Sequence, residues 1–340
     1  MPAPSLRVFV VGGTGYIGKA VVRELTARGH SVVCFARRRS GVGGAATEDA
    51  TRTALAGAEV RFGEVTEIAS VVDDGRRGET FDAVVSCLAT RSGGIDDAWL
   101  VEHRANMNVL EAFEDAKHFV LLSAICVQKP LLAFQHAKLA TERVLIESGK
   151  DYSIVRPTAF FKSLSGQIDG VKRGKPFVVF GNGELTACKP ISETDLARFM
   201  ADCLEDPAKR NAILPVGGPG PAISPRQQGM LLFELCGRPA RFRHVPVGLL
   251  DAVIAVLGVA GRVSATVRDK AELARIGRYY ATESMLVLDE ARGAYDPEAT
   301  PSFGTDTLRD FYGRVLRDGL AGQELGAHAV FTRDRRNAAP

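Results

Sequence analysis

Seven residues near the N-terminus, Gly12-Gly13-Thr14-Gly15-Tyr16-Ile17-Gly18, leave few folds open to this chain. They follow a short apolar run, Leu6 to Val11, and precede a stretch from Lys19 to Arg28 with helical spacing of Ala20, Val21, Leu25 and Ala27. Gly29 is placed to end that helix, and Ser31 to Ala36 reads as a second strand. Strand, glycine turn, helix and strand in this order form a dinucleotide-binding unit, where the bare glycine pattern alone would be weak. Gly12 and Gly13 permit the tight turn, Gly15 lets the backbone approach a pyrophosphate, and Gly18 allows close helix–strand packing. Thr14, Tyr16 and Ile17 then lie along the phosphates at the helix N-terminus, where free N–H groups and the dipole favour negative charge. The plain alternative is a turn that binds nothing.

Further strand candidates recur at Ala58 to Phe62, Ala83 to Cys87, Phe119 to Ser123, Tyr152 to Arg156 and Phe177 to Phe180. Helical stretches, notably Asp96 to Ala116 and Gln135 to Ser148, separate several of them. Such alternation implies an α/β fold, a Rossmann-like doubly wound parallel sheet covered on both faces. The rhythm loosens beyond about residue 160, which points to a smaller C-terminal substrate lobe. The expected division is a dinucleotide-binding domain over 1–160, to which later segments such as 177–204 return, a mainly substrate-binding lobe over 161–322, and a flexible tail over 323–340. Ser40 to Thr53, rich in Gly, Ala and Thr, reads as a mobile loop.

The second strand bears on the cofactor. An Asp or Glu at its end would accept from a ribose 2′-hydroxyl. This chain has Ala36-Arg37-Arg38-Arg39-Ser40 instead, and guanidinium groups bind a 2′-phosphate through charge-assisted hydrogen bonds. NADPH is therefore the expected cofactor, with Arg37 and Arg38 on the phosphate; a solvated basic loop is the competing explanation. Glu64 and Val65, in Gly63-Glu64-Val65, resemble the Gly-Asp-Val that contacts adenine in short-chain dehydrogenases. Leu88 and Ala89, after the fourth strand, should line the cofactor.

At the reactive end, Ser123 closes the fifth strand where short-chain dehydrogenase/reductases place a catalytic serine. Lys138 stands where they keep the lysine of a Tyr-x-x-x-Lys pair, but the tyrosine position holds Phe134. A chain without that phenol is poorly suited to ordinary carbonyl chemistry. It suits another reduction, such as that of a carbon–carbon double bond, or binding without turnover. Lys138 is expected to hold the nicotinamide ribose and to supply positive potential beside the reacting carbon. Pro157, in Arg156-Pro157-Thr158, resembles the Arg-Pro that backs the nicotinamide in extended and atypical members. Asp195, in Ile191 to Ala197, reads as a structural joint between lobes.

A net charge of +3 spread over 340 residues gives no footprint for nucleic acid. Six cysteines without a Cys-x-x-Cys pair read as reduced, which fits a cytoplasmic protein, and no metal-ligand spacing stands out. The N-terminus has no basic segment followed by a long apolar stretch, so no signal peptide is expected. The most apolar run, Val247 to Gly261, is short for a membrane span. It reads first as a buried or interface helix, and second as a helix facing a membrane.

The segment Leu122-Ser123-Ala124-Ile125-Cys126-Val127-Gln128-Lys129-Pro130-Leu131-Leu132, with Phe134-Gln135 and Ala137-Lys138-Leu139, closely resembles the divinyl chlorophyllide a 8-vinyl reductase family. These are atypical short-chain dehydrogenase/reductases of chlorophyll and bacteriochlorophyll synthesis. Glu283 to Asp289 and Thr300 to Leu308 carry the same likeness, so that it covers about residues 6 to 318. Departures fall mostly in loops such as Ser40 to Thr53, where they touch the 2′-phosphate contacts more than the reaction. The resemblance implies NADPH-dependent reduction of the 8-vinyl group of a divinyl chlorophyllide, or a related magnesium tetrapyrrole, to ethyl. The missing phenol fits, because the macrocycle can spread the negative charge and no carbonyl oxygen needs a proton. The implied substrate is a flat apolar disc with a carboxylate. Phe160, Phe161, Leu164 and the Val247 to Gly261 helix are wall candidates, Cys126 and Phe134 are further substrate candidates, and Lys162 is a carboxylate candidate beside Lys172 and Arg173. A peripheral contact with the photosynthetic membrane is compatible with such a substrate. Two alternatives stay open: another NADPH-dependent double-bond reductase of the isoflavone-reductase type, and a non-catalytic NADP-binding sensor or assembly protein.

Overall fold

A computed structural model of the chain describes residues 5–40, 44–90, 93–262 and 264–319. The expected tail over 323–340, residues 1–4 and residues 41–43 of the expected loop lie outside the described residues.

The first half alternates as expected. Strand β1 (Arg7–Val11) leads through the glycine turn into α1 (Tyr16–Ala27), followed by β2 (Ser31–Ala36), α2 (Glu48–Ala54) and β3 (Glu59–Phe62). A helix over 68–76, α3, precedes β4 (Ala83–Ser86); a long helix over 95–112, α4, precedes β5 (His118–Leu122). Then come α5 (Ala133–Glu147) and β6 (Asp151–Pro157). The second half comprises α6 (Ile168–Lys172), β7 (Phe177–Phe180), α7 (Glu193–Glu205), β8 (Ala212–Val216), α8 (Pro225–Leu235) and β9 (Phe242–Val245). It closes with α9 (Gly248–Ala260), α10 (Ala265–Thr282), β10 (Val287–Asp289), β11 (Ala294–Asp296) and α11 (Leu308–Asp318).

Seven strands form one parallel sheet in the order β3-β2-β1-β4-β5-β6-β8. The strands read as near-continuous apolar runs because helices cover both faces. On one face α1 and α7 pack through Val21, Leu25, Leu196 and Met200; on the other, Phe9 lies among Phe35, Phe81 and Phe113. Strand order reverses between β1 and β4, and ligands of such sheets bind in the crevice at that reversal, beyond the carboxyl ends. Of the segment 177–204, α7 lies on the central sheet, whereas β7 pairs with β9 outside it. A separate core around Phe161, Phe233, Phe311 and Tyr312 supports the C-terminal half. Asp195, fully buried, accepts from the N–H groups of Thr305 and Asp306 and so ties the segment before α11 to the start of α7.

Two expectations are corrected. Ser40 to Thr53 is not a loop throughout: Ser40 bridges to Ala46, and Thr47 caps α2 by accepting from Ala50 N–H. Glu48 and Asp49 in its first turn complement the helix dipole, a local signal that the small residues before it masked. The run from Val247 is a helix, but not a buried one: α9 has no buried residue, and Val256 is 70% and Val259 67% exposed.

Candidate active site

The glycine turn sits at the strand-order reversal. Gly12 has φ +74°, and a Cβ there would fall on the Cys87 carbonyl at the end of β4. A Cβ on Gly18 would fall on the Gly12 carbonyl oxygen, so α1 starts hard against the turn. Gly15 is the N-cap, with no side-chain cap and no acid in the first turn, so the first N–H groups of α1 stay available to an anion. Ile17 is buried beneath, and Thr14 lies half-buried in the turn. The Tyr16 hydroxyl is turned away and donates to Glu193 at the start of α7. Burial, with Glu193 beside it, pushes the Tyr16 phenol well above its ordinary range. The Lys162 ammonium lies 5.1 Å from the Tyr16 ring centre and the Phe160 ring 6.3 Å from it, so both stand beside the first turn of α1.

Past the end of β2 a cavity of about 420 Å³ is lined by Arg37, Arg38, Arg39, Gly63, Glu64, Ser70 and Asp74. Arg38 is held at 2.9 Å by Glu48 of α2, and Arg39 donates to the Gly44 carbonyl. Arg37 is exposed on the rim. The Glu64 carboxylate is turned back onto Thr66, while its N–H donates to Ser70 Oγ. Val65 packs beside the core and its carbonyl accepts from Asn108. Leu88 is buried at the end of β4, and Ala89 next to it is exposed.

The expected reactive end contains two ion pairs with buried carboxylates. Lys138 is 8% exposed and Glu102 2%. Lys138 Nζ donates to Glu102 at 2.8 Å and, at 3.4 Å, to the Leu122 carbonyl. Glu102 also accepts from Thr90 N–H at 2.9 Å, which ties the loop after β4 to the same carboxylate. It lies where α4 widens into a π-turn over Trp99–Arg104, a local bulge of the kind that helices use to re-aim side chains at functional sites. One turn on from Lys138, Glu142 accepts from Ser123 Oγ and pairs with Arg156. Ser123 is thus anchored rather than free, and Arg156 is spent on the same carboxylate. Pro157 is buried behind them.

The substrate candidates separate. Phe134 packs, half-buried, against a cluster that contains Cys126, Cys188 and Tyr279. Cys126 is 4% exposed, burial pushes its thiol up, and its carbonyl accepts from Gln135 and Tyr279. Phe161 is 2% exposed and packs at a tilt against Phe311 inside the C-terminal core. Lys172 donates to the Leu316 carbonyl, and Arg173 is exposed. Sequence reasoning missed Glu102 and Glu142. Glu142, four residues after Lys138, fell on the helix face already assigned to catalysis, which was the one signal available.

The cradle that a Cβ would fill, the uncapped helix start and the arginine-lined cavity fit a dinucleotide with a 2′-phosphate. The fold and site define an NAD(P)H-binding protein of the doubly wound class, and a sequence family described as NAD(P)H-binding matches residues 12–207. Comparison with known proteins narrows this. The chain is 52% identical over 338 residues to the divinyl chlorophyllide a 8-vinyl-reductase of Zea mays, covering 97% of this chain and 84% of that one. It is 54% identical over 337 residues to the enzyme of the same name from Oryza sativa subsp. indica, covering 97% and 83%. The chain belongs to the divinyl chlorophyllide a 8-vinyl-reductase family. Among solved structures, a leucoanthocyanidin reductase–NADPH complex from Vitis vinifera shares the fold, with a TM-score of 0.64 at 16% identity over 92% of this chain and 99% of that one. The two plant relatives are named chloroplastic. Among the described residues of this chain, no helix is long and apolar enough to cross a membrane.

Proposed function

We propose that this chain reduces the 8-vinyl group of a divinyl chlorophyllide, or a closely related magnesium tetrapyrrole, to ethyl at the expense of NADPH. The observation that carries the proposal is more than 50% identity along nearly the whole chain to reductases of that name, joined to a reactive end that has Lys138 and no phenol at position 134. NADPH is the reductant to which the site is suited, since Arg37 and Arg38 flank the cavity where a 2′-phosphate would lie. Residues 1–160 carry most of the cofactor site, and 161–322 mainly shape the substrate side.

When bound, NADPH supplies the two-electron reducing equivalent. The protein's part is to bind, orient and exclude water. Gly12, Gly13, Gly15 and Gly18 admit the pyrophosphate, with Thr14, Tyr16 and Ile17 forming the rest of the turn. Glu64, Val65, Leu88, Ala89 and Pro157 bound the remainder of the cofactor cleft. Lys138, fixed by Glu102 and the Leu122 carbonyl, presents one ammonium in one orientation. That ammonium can hold ribose hydroxyls and place positive potential beside the carbon that takes up charge. Ser123 acts through Glu142, keeping the ends of β5 and β6 in register with α5. The proton for the second vinyl carbon comes from Lys138 or from water. The protein works in the cytoplasm with a peripheral contact at the photosynthetic membrane.

Incubation of the purified protein with NADPH and divinyl chlorophyllide, followed by absorbance and chromatographic identification, tests the proposal. The expected result is a monovinyl product with a blue-shifted Soret band, formed with NADPH and far more slowly with NADH. Tight NADPH binding with no conversion of the pigment would overturn it.

A further inference from the structure

Helix α9 breaks the rule that apolar helices are covered. Its sequence, GLLDAVIAVLGVA, has a single charge, Asp251, and that carboxylate is paired with Arg278 of α10. Leu249 (57% exposed), Val253 (41%), Val256 (70%) and Val259 (67%) run along its outer side, while α10 backs the other. Apolar patches of this kind, rimmed by polar groups, mark sites of contact with other surfaces.

The segment that contains α9 is rich in cations. Between residues 238 and 280 the chain has eight arginines and lysines against three acids, whereas the whole chain has 43 against 40. Three of these cations lie at one end of α9. Where α9 meets α10, a cavity of about 330 Å³ is lined by Gly258, Gly261, Arg262, Arg268, Ala271 and Arg275. Arg268 spends one nitrogen on Asp96, but its buried Nε has no hydrogen-bond partner. Arg262 is exposed at the mouth. An apolar stripe about 20 Å long, at 1.5 Å per residue, with an arginine-lined cavity at its end, is complementary to one kind of partner. That partner buries alkyl chains along the stripe and presents phosphate at the end, as the surface of an anionic bilayer does.

We propose that α9 is a docking helix that lies in the interface of an anionic lipid bilayer, with Arg262 and Arg268 taking a lipid phosphate. The inference deepens the peripheral membrane contact proposed above and rests on it for location only. The geometry suits an in-plane helix, since thirteen residues are too few to span. The cleft bordered by α10 would then open toward the bilayer, from which an apolar pigment could enter.

Flotation of the purified full-length chain with vesicles tests this, using pure phosphatidylcholine against an equal mixture with phosphatidylglycerol. The wild type should float with the anionic vesicles and not the neutral ones, and should be released at about 1 M salt, where the screening length falls to ~3 Å. Val256→Asp/Val259→Asp should weaken that binding at least about tenfold, and Arg262→Ser about fivefold. Thermal melting and NADPH binding of each variant serve as controls for folding. Equal flotation of wild type and Val256→Asp/Val259→Asp would overturn the proposal. So would a dimer in solution that the double variant abolishes without any vesicle binding by the wild type, because the face would then belong to a second copy. Loss of pigment binding by the double variant with vesicle binding intact would assign α9 to the substrate pocket instead. No arm requires turnover, so failure of the vinyl-reductase reading would show separately.

Discussion

Glu102 is the residue whose removal tests the site most directly. Its carboxylate is buried and holds two donors, the buried Lys138 ammonium at 2.8 Å and the half-buried Thr90 N–H at 2.9 Å. Glu102→Ala strands a buried cation, a loss worth about 3–5 kcal/mol, and leaves the Thr90 N–H unsatisfied as well. Against total stabilities of about 5–15 kcal/mol, that is a large fraction. With a urea m-value of roughly 3 kcal/mol/M for a large domain, the unfolding midpoint should fall by about 1 M or more. Glu102→Gln separates the two donors, since its amide oxygen can still accept from Thr90 while the charge on Lys138 is uncompensated. Removing both charges, as Glu102→Gln with Lys138→Met, should cost less than Glu102→Gln alone, because the stranded cation is gone. The assay is urea unfolding followed by circular dichroism on the wild type, the three variants named and Lys138→Met alone. A Glu102→Ala variant within about 1 kcal/mol of wild type, below the usual cost of one buried unsatisfied donor, would refute this reasoning. Strict additivity of the two single substitutions would refute it equally, because it would mean that the two charges do not interact.

Gly18→Ala places a Cβ on the Gly12 carbonyl oxygen and should weaken NADPH binding in a fluorescence titration by up to about a hundredfold, the equivalent of the 1–3 kcal/mol typical of overpacking. Gly170→Ala, on a short helix with nothing within 4 Å of the added carbon, should leave binding unchanged. His118, 4% exposed on β5 and 3.0 Å from Ser153 Oγ, has its pKa lowered to about 4 by burial, with Arg210 adding to the effect. Its unfolded form takes up a proton near pH 6.5 and the folded form only near pH 4, so stability is lost as the pH falls through that window and the loss is complete below it. The loss should be roughly 3 kcal/mol, and His118→Gln should remove it from the pH profile of the urea midpoint.

What the sequence made legible, and what it hid, follows from how far each feature reaches. β1, β2, β4 and β5 are apolar runs bounded by turn residues, so a window of a few residues suffices to see them. The glycine turn is equally local, because each glycine answers to the backbone beside it. Glu102 and Glu142 were hidden for the opposite reason. Either one, read alone, is an ordinary charge on a helix, and only the approach of Lys138, Ser123 and Arg156 from other positions makes it a buried partner. Helix α9 was legible as a helix but not in what it faces, since an apolar run with one charge looks alike whether it faces a core, a pigment or a bilayer. The two places where local rules fail therefore share a logic. Charges are buried at Lys138, Glu102 and Glu142, and apolar side chains are exposed at Val256 and Val259. Each departure costs stability on its own element, and each is expected where function rather than folding sets the residue. The buried charges fix the Lys138 ammonium where the proposed reaction needs it. The exposed apolar stripe lies on the hairpin whose second helix, α10, closes against the same site through Glu272, which accepts from Ala133 N–H at the start of the Lys138 helix. The face proposed to meet the bilayer and the lysine proposed to meet the cofactor are thus joined by one hydrogen-bonded element, an arrangement that suits passage of an apolar pigment from one to the other.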